Sequence, residues 1–292
     1  MKKYNTRVAP SPTGFFHLGT ARTAYHNWLA AKSSGGKFLL RIDDTDTSRN
    51  NDKYVNIIHQ SLDWMGIDYD DTFKQSSRLF HYKNIAKKLI DAGLAIKDDG
   101  AVRLKTDFKL DHWMDFYKNK IKVSQKDVCF SNNQVILKSD GNPTYHFASI
   151  IDDIDYDINL IIRGSDHINN TAKQLMILDS LRLINYNKSD NFIDFIHVGL
   201  IIKDGKKLSK RDDSSNIISY NGYNPDALLN FILRLGWSHP DSDFDKKSPL
   251  INKNKAKQIF FDGKMKTINC KFDNSKLKWL DKKHNQQKHK KQ

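Results

Sequence analysis

Strand-like and helix-like hydrophobic patterns alternate along most of this chain, and that alternation limits its fold more than any other feature. Residues 6–10 read as a short first strand and 17–31 as the helix after it, with 37–42 as a second strand. Asn50 is placed to cap a helix whose Val55, Ile58, Leu62 and Met65 recur at spacings of three and four, one apolar face. Leu79, Tyr82, Ala86, Leu89 and Ile90 repeat that pattern. Residues 134–138 and 158–163 read as strands, 170–183 as a helix, and 192–202 as a strand leading to a loop at Lys207. Strands separated by helices predict an α/β fold built on a parallel sheet. Such sheets bind ligands beyond the carboxyl ends of their strands, near the point where strand order reverses.

Two short stretches sit at such strand exits, about 190 residues apart. The first runs Arg7-Val8-Ala9-Pro10-Ser11-Pro12-Thr13-Gly14-Phe15-Phe16-His17-Leu18-Gly19-Thr20, and the second is Lys207-Leu208-Ser209-Lys210-Arg211. Taken singly, each has a bland reading. A histidine at a helix start is commonly a cap, and a basic pentapeptide with a serine is commonly a solvated loop. Taken together they suit a polyphosphate. His17, Gly19 and Thr20 open a helix whose first amides and dipole favour anions. Gly14 and Gly19 permit close backbone approach. Lys207 and Lys210 lie three residues apart on a loop freed by Gly205, and can neutralise charge on a triphosphate.

In this order, with Arg41-Ile42-Asp43-Asp44-Thr45-Asp46 between them, the two stretches resemble the HIGH and KMSKS signatures of class I aminoacyl-tRNA synthetases. The resemblance narrows to glutamyl-tRNA synthetases at 23–29, 36–46 and Ser139-Asp140-Gly141-Asn142-Pro143-Thr144-Tyr145-His146-Phe147-Ala148. It continues at Ile162-Arg163-Gly164-Ser165-Asp166-His167, at 204–211 and at 222–230, and Phe272 to Leu280 is similar to the start of the family's stem-contact region. The anticodon-binding half that follows in the family has no counterpart in the sequence. The resemblance implies a Rossmann-like parallel-sheet catalytic domain with a small inserted segment and a helical, basic C-terminal extension. Its expected parts are a first catalytic half (1–93), a reduced acceptor-binding insertion (94–131), and a second half with the Lys207 loop (132–212). A helical stem-contact-like region (213–281) and a disordered basic tail (282–292) complete them.

The implied reaction is ATP-dependent activation of L-glutamate and its transfer to tRNA. No nucleophilic side chain is required, because positioning and charge stabilisation supply most of the rate. The resemblance assigns His17, Lys207 and Lys210 to catalysis, and Arg7, Ser11, Asp43, Tyr145 and Arg163 to glutamate. It assigns ATP to His17, Gly19, Thr20, Asp166, Leu200, Lys207 and Lys210. Arginine suits the substrate's side-chain carboxylate, since its planar fork bonds bidentately, and it favours glutamate over uncharged glutamine. Asp152, Asp153 and His167 are expected to be structural. Mg2+ is expected with ATP; zinc and other protein-bound metal are not. One rival is a glutamyl-queuosine tRNA(Asp) synthetase-like enzyme, which the missing cysteine-rich site disfavours. A second is a paralogue that holds tRNA or adenylate without transfer, and a third transfers glutamate to another acceptor.

Composition bears on partners. Of the net charge of +14, residues 251–292 supply +10, with 13 Lys against 3 Asp, as expected of a segment that meets a phosphate backbone. Acceptor end and stem of tRNA are the expected contacts. No membrane span or secretory leader is expected, and Cys129 and Cys270 are too few for a zinc ribbon. A cytoplasmic monomer is the expectation. All 34 acidic residues are aspartate. Either selection keeps a glutamate-charging enzyme free of its own substrate, or a genome-wide bias operates. The bias reaches the site, because the family motif carries glutamate where this chain has Asp43, one methylene shorter.

Overall fold

The computed structural model describes residues 2–46, 48–186, 192–208, 216–247 and 249–289. β1 (Thr6–Val8) leads to α1 (Leu18–Ser34), β2 (Phe38–Ile42), α2 (Asp52–Met65) and β3 (Asp71–Lys74). These strands pair in parallel in the order β1-β2-β3, with Thr6 opposite Phe38 and Leu40 opposite Thr72. α3 (Leu79–Asp91) follows. The chain then forms β4 (Ala95–Asp98), β5 (Ala101–Leu104), the hairpin β6 (His112–Asp115) and β7 (Asn119–Lys122), α4 (Gln125–Asn132) and β8 (Val135–Leu137). α5 (Tyr145–Asp155), β9 (Leu160–Gly164), α6 (Ile168–Leu183) and β10 (Asp194–Val198) complete the second half, with β9 and β10 parallel. The amides of Asn159 and Leu160 donate to the Asn5 carbonyl, so β9 enters beside β1. The chain therefore builds outward from β1 in one direction and from β9 in the other. The seam between them is the switch point where ligands bind in such sheets.

The apolar patterns explain these placements. Val55, Ile58, Leu62 and Met65 of α2 are all buried, as their spacing requires. α1 is buried on nearly every face, because it lies between the sheet and the C-terminal helices. The cap of α2 differs from expectation by one residue. Asn51, not Asn50, accepts the Lys53 amide, while Asn50 turns back to donate to the Asp44 carbonyl. The strand expected over 192–202 is broken at Gly199, where a β-carbon would sit 1.8 Å from the Ile268 carbonyl oxygen. The chain resumes as β11 (Ile201–Lys203) and β12 (Lys206–Lys207), an antiparallel pair that carries Lys207.

The rest is mainly helical: α7 (Pro225–Arg234), β13 (Trp237–Ser238), α8 (Phe244–Lys247), α9 (Lys253–Ile259), β14 (Lys264–Met265), β15 (Cys270–Lys271) and α10 (Asn274–His289). β15 pairs in parallel with β11 and so ties this region to the Lys207 hairpin. Where a disordered tail is expected from residue 282, α10 runs on through His289, and residues 290–292 lie outside the described residues. Leu277 and Leu280 are fully buried, and the His284 ring lies 3.2 Å from Asn230 Nδ2 on α7, which anchors a helix whose composition is otherwise polar. No helix among the described residues is long and apolar enough to cross a membrane.

His26, fully buried on α1, gives the fold an acid-sensitive element. Burial, reinforced by Arg22, pushes it down to about 3. The unfolded chain therefore binds a proton that the folded chain refuses over the window from about 6.5 down to 3. This stability is complete above that window and is lost as pH falls through it. Between pH 7 and 5 the loss is about 2 kcal/mol. Urea unfolding across that range should show it, and His26→Phe should flatten the slope; an unchanged slope would remove His26 as its source.

Candidate active site

A cleft of about 580 Å³ opens at the seam between β1 and β9. Arg7 enters from β1 and Arg163 from β9. The start of α1 supplies His17, Gly19 and Thr20, and Tyr145 comes from the start of α5. Asp166, Leu200 and Lys207 close the far side, and Ser11 lies on the exposed turn before the helix. Ten of the expected site residues thus share one wall system. Asp43 lies outside it. Its amide donates to the Pro10 carbonyl, placing it behind Ser11, and its carboxylate is taken by Arg41, with Oδ1 2.6 Å from Nε. Lys210 lies outside the described residues.

The two arginines differ in charge balance, although both are buried. Arg7 is neutralised by Asp153, its Nε 2.9 Å from Oδ1 and its Nη2 3.2 Å from Oδ2. The same Oδ1 accepts from Arg41 Nη1 at 2.9 Å. Asp153 is fully buried, which raises its carboxyl, but Arg7 and Arg41 outweigh burial and hold it below the usual carboxylate range. Arg163 has no carboxylate bonded to it among the described residues. Its Nε donates to His197 Nε2 at 3.0 Å, Nη1 to Gln174 Oε1 at 2.8 Å, and Nη2 to Thr171 Oγ1 at 2.7 Å. Burial pushes this guanidinium down from its ordinary value, and Arg7 adds to that push against the opposing effect of Tyr145. A buried cation with only neutral partners is costly unless an anion joins it. Arg163 therefore brings to the cleft a positive charge with no bonded carboxylate, suited to a carboxylate ligand.

At the other end, His17 does two things at once. Its Nδ1 accepts the Thr20 amide at 3.2 Å, which caps α1. That assigns the ring proton to Nε2, which donates to Thr20 Oγ1 at 2.8 Å. A β-carbon on Gly19 would lie 3.0 Å from Nδ1, so any side chain there would press on this ring. Lys207 Nζ reaches Asp166 Oδ2 at 2.6 Å; both are partly exposed, so the pair can exchange for a stronger anion.

Sequence reading did not single out several lining residues. Phe15 and Phe16 line the cleft, as do Thr23, Asn27 and Arg22. Arg22 is buried and donates from Nη1 to the Leu235 carbonyl and from Nη2 to the Gly199 carbonyl, both at 2.6 Å. His167, expected to be structural, lines the cleft, and burial with Arg163 nearby lowers it to about 4. Asp152 pairs with Arg78 and Arg41, and Asp153 with Arg7 and Arg41; neither lines the cleft. The signal that could have found Arg22 was its place on the same helix as His17.

This arrangement defines a class of protein, a Rossmann-like α/β core with an arginine-lined cleft beside a phosphate-suited helix start. The chain belongs to the class I tRNA synthetases (E and Q), and the family's catalytic-domain model matches residues 3–101 and 97–279. Glutamate–tRNA ligase 2 of Neorickettsia sennetsu is 44% identical over 241 residues, covering 82% of this chain and 57% of that relative. Glutamate–tRNA ligase of Prochlorococcus marinus is 36% identical over 332 residues, covering 96% of this chain and 67% of its own length. The crystal structure of a glutamate tRNA ligase from Elizabethkingia meningosepticum, in complex with its amino acid, superposes with a TM-score of 0.80 at 26% identity. It covers 98% of this chain and 70% of that one. This chain thus spans a little over half to about two-thirds of the length of the curated relatives.

Proposed function

We propose that this chain activates L-glutamate with ATP and passes the glutamyl group to tRNA. The observation that carries the reading is Arg163, a buried cation with neutral partners at the switch point of a synthetase fold. An α-carboxylate oxygen of glutamate attacks the α-phosphorus of ATP, the bond to the bridging oxygen breaks, and pyrophosphate leaves with that electron pair. A ribose hydroxyl at the tRNA end then attacks the glutamyl carbonyl, releasing AMP.

Arg163 takes the side-chain carboxylate, with Arg7 and the Tyr145 hydroxyl beside it. Ser11 meets the amino-acid backbone. Asp43 supplies negative charge behind Ser11 for the α-ammonium, at one remove while Arg41 holds it. The start of α1, with His17, Gly19 and Thr20, receives the phosphates. Lys207 leaves Asp166 to meet charge growing on the leaving pyrophosphate, joined by Lys210; Asp166 and Leu200 line the nucleotide's side. Mg2+ accompanies ATP as part of the substrate. Lys255 of α9 and Lys276, Lys278, Lys282 and Lys283 of α10 face solvent and offer charge to a tRNA stem. The relatives' names favour this reading over a queuosine-directed enzyme or a non-transferring paralogue.

Labelled glutamate, ATP and total tRNA, incubated with the protein, should yield acid-precipitable, RNase-sensitive counts. Counts that survive RNase would place the glutamyl group on another acceptor. The absence of counts would reject transfer.

A further inference from the structure

We infer that Asp115 and His197 are positioning residues for Arg163, so that the inserted β6–β7 hairpin sets how tightly the side-chain carboxylate of the substrate is held. The inference rests on the functional reading above and goes one layer deeper into the same site.

The parallel register of β9 and β10 sets Arg163 directly opposite His197. Arg163 Nε donates to His197 Nε2 at 3.0 Å, so that nitrogen must keep its lone pair and the ring must be neutral. The ring proton therefore sits on Nδ1, which lies 2.8 Å from Asp115 Oδ2. A carboxylate at this distance selects that tautomer and fixes the ring plane, as a carboxylate behind a metal-bound histidine does.

Asp115 is itself held from every side. Its Oδ2 also accepts the His197 amide at 2.9 Å, and Oδ1 accepts the amides of Tyr117 at 3.0 Å and Lys118 at 2.8 Å. Burial alone would raise this carboxyl, but His197 and these amides outweigh it and hold it below the usual range. Both side chains are fully buried. The hairpin is locked to the sheet edge by the Phe116 amide, which donates to the Phe195 carbonyl at 2.8 Å. Trp113 packs edge-on against the His197 ring at 5.3 Å. Packing alone would leave the ring nitrogens unused; here both are bonded, one toward the cleft and one toward the hairpin.

The test is ATP–pyrophosphate exchange on folded wild type, Asp115→Asn, His197→Phe and His197→Gln. Asparagine offers one acceptor oxygen where four N–H groups converge. Phenylalanine leaves Arg163 Nε without a partner, whereas a glutamine oxygen can accept from it. Asp115→Asn and His197→Phe should each raise the glutamate KM by about 10- to 100-fold, the usual effect of removing such supports. The ATP KM should change less than about twofold, and His197→Gln should recover part of the glutamate KM. If Asp115→Asn fails to fold, the two His197 variants decide the matter between them. Equal glutamate KM values in an active wild type and these variants would overturn the inference alone. A wild type that activates no amino acid would overturn the functional reading and this inference with it.

Discussion

Replacing Arg163 with leucine should lower kcat/KM for glutamate in pyrophosphate exchange by about a thousandfold. Truncating one partner of a buried, hydrogen-bonded charge pair typically costs 2–5 kcal/mol, and each 1.4 kcal/mol is a factor of ten. Arg163 belongs at the upper end because no carboxylate among the described residues is bonded to it, whereas Arg7 is bonded to Asp153. Lysine should not rescue it. The guanidinium makes three bonds in a plane, to His197, Gln174 and Thr171, and a point ammonium cannot reproduce that fork. Discrimination against glutamine should shrink in the same variant, since the penalty for an uncharged amide comes from leaving this cation unmatched. Retention of a tenth or more of wild-type kcat/KM, in folded Arg163→Leu, would contradict the assignment.

The largest stability effect should come from Arg41→Met. Arg41 is almost fully buried and binds Asp43 and Asp153 through its guanidinium, with the Ser149 hydroxyl at 2.9 Å. Methionine fills much of the space but leaves Asp43 without its partner and Asp153 with Arg7 alone. Removing one side of a buried ion pair costs about 3–5 kcal/mol. In a chain of this size that corresponds to a drop in Tm on the order of 10 °C. Adding Asp43→Asn to Arg41→Met should recover part of the loss, because it removes the stranded charge. A single variant that melts within about 2 °C of wild type would show that this cluster does not hold the sheet to α5.

Much of this architecture is legible in the sequence. β1, α1, β2 and α2 follow from periodicity and breakers, and Arg7, His17, Tyr145, Arg163 and Lys207 do meet in one cleft at the strand ends. What escaped the sequence was decided by partners distant along the chain. Asp43 looks like a cleft acid by its motif, yet Arg41, two residues earlier on β2, takes its shorter carboxylate. Two adjacent asparagines can each cap α2, and only the pull of the Asp44 carbonyl on Asn50 settles the choice. The end of α10 has no apolar stripe to announce a helix; its order comes from Asn230 and the buried leucines. Asp115 gave no signal at all, because its role depends on a ring 82 residues away.

The central claim is that this cleft activates glutamate, and ATP–pyrophosphate exchange tests it most directly. The assay should be run with glutamate, glutamine and aspartate, each with and without total tRNA. Glutamate-dependent exchange, well above that with glutamine or aspartate, is the expected result, and a requirement for tRNA would add that the acceptor helps complete the site. No exchange with any of the three, from folded protein in the presence of tRNA, would contradict the account and leave the cleft a binding site without chemistry.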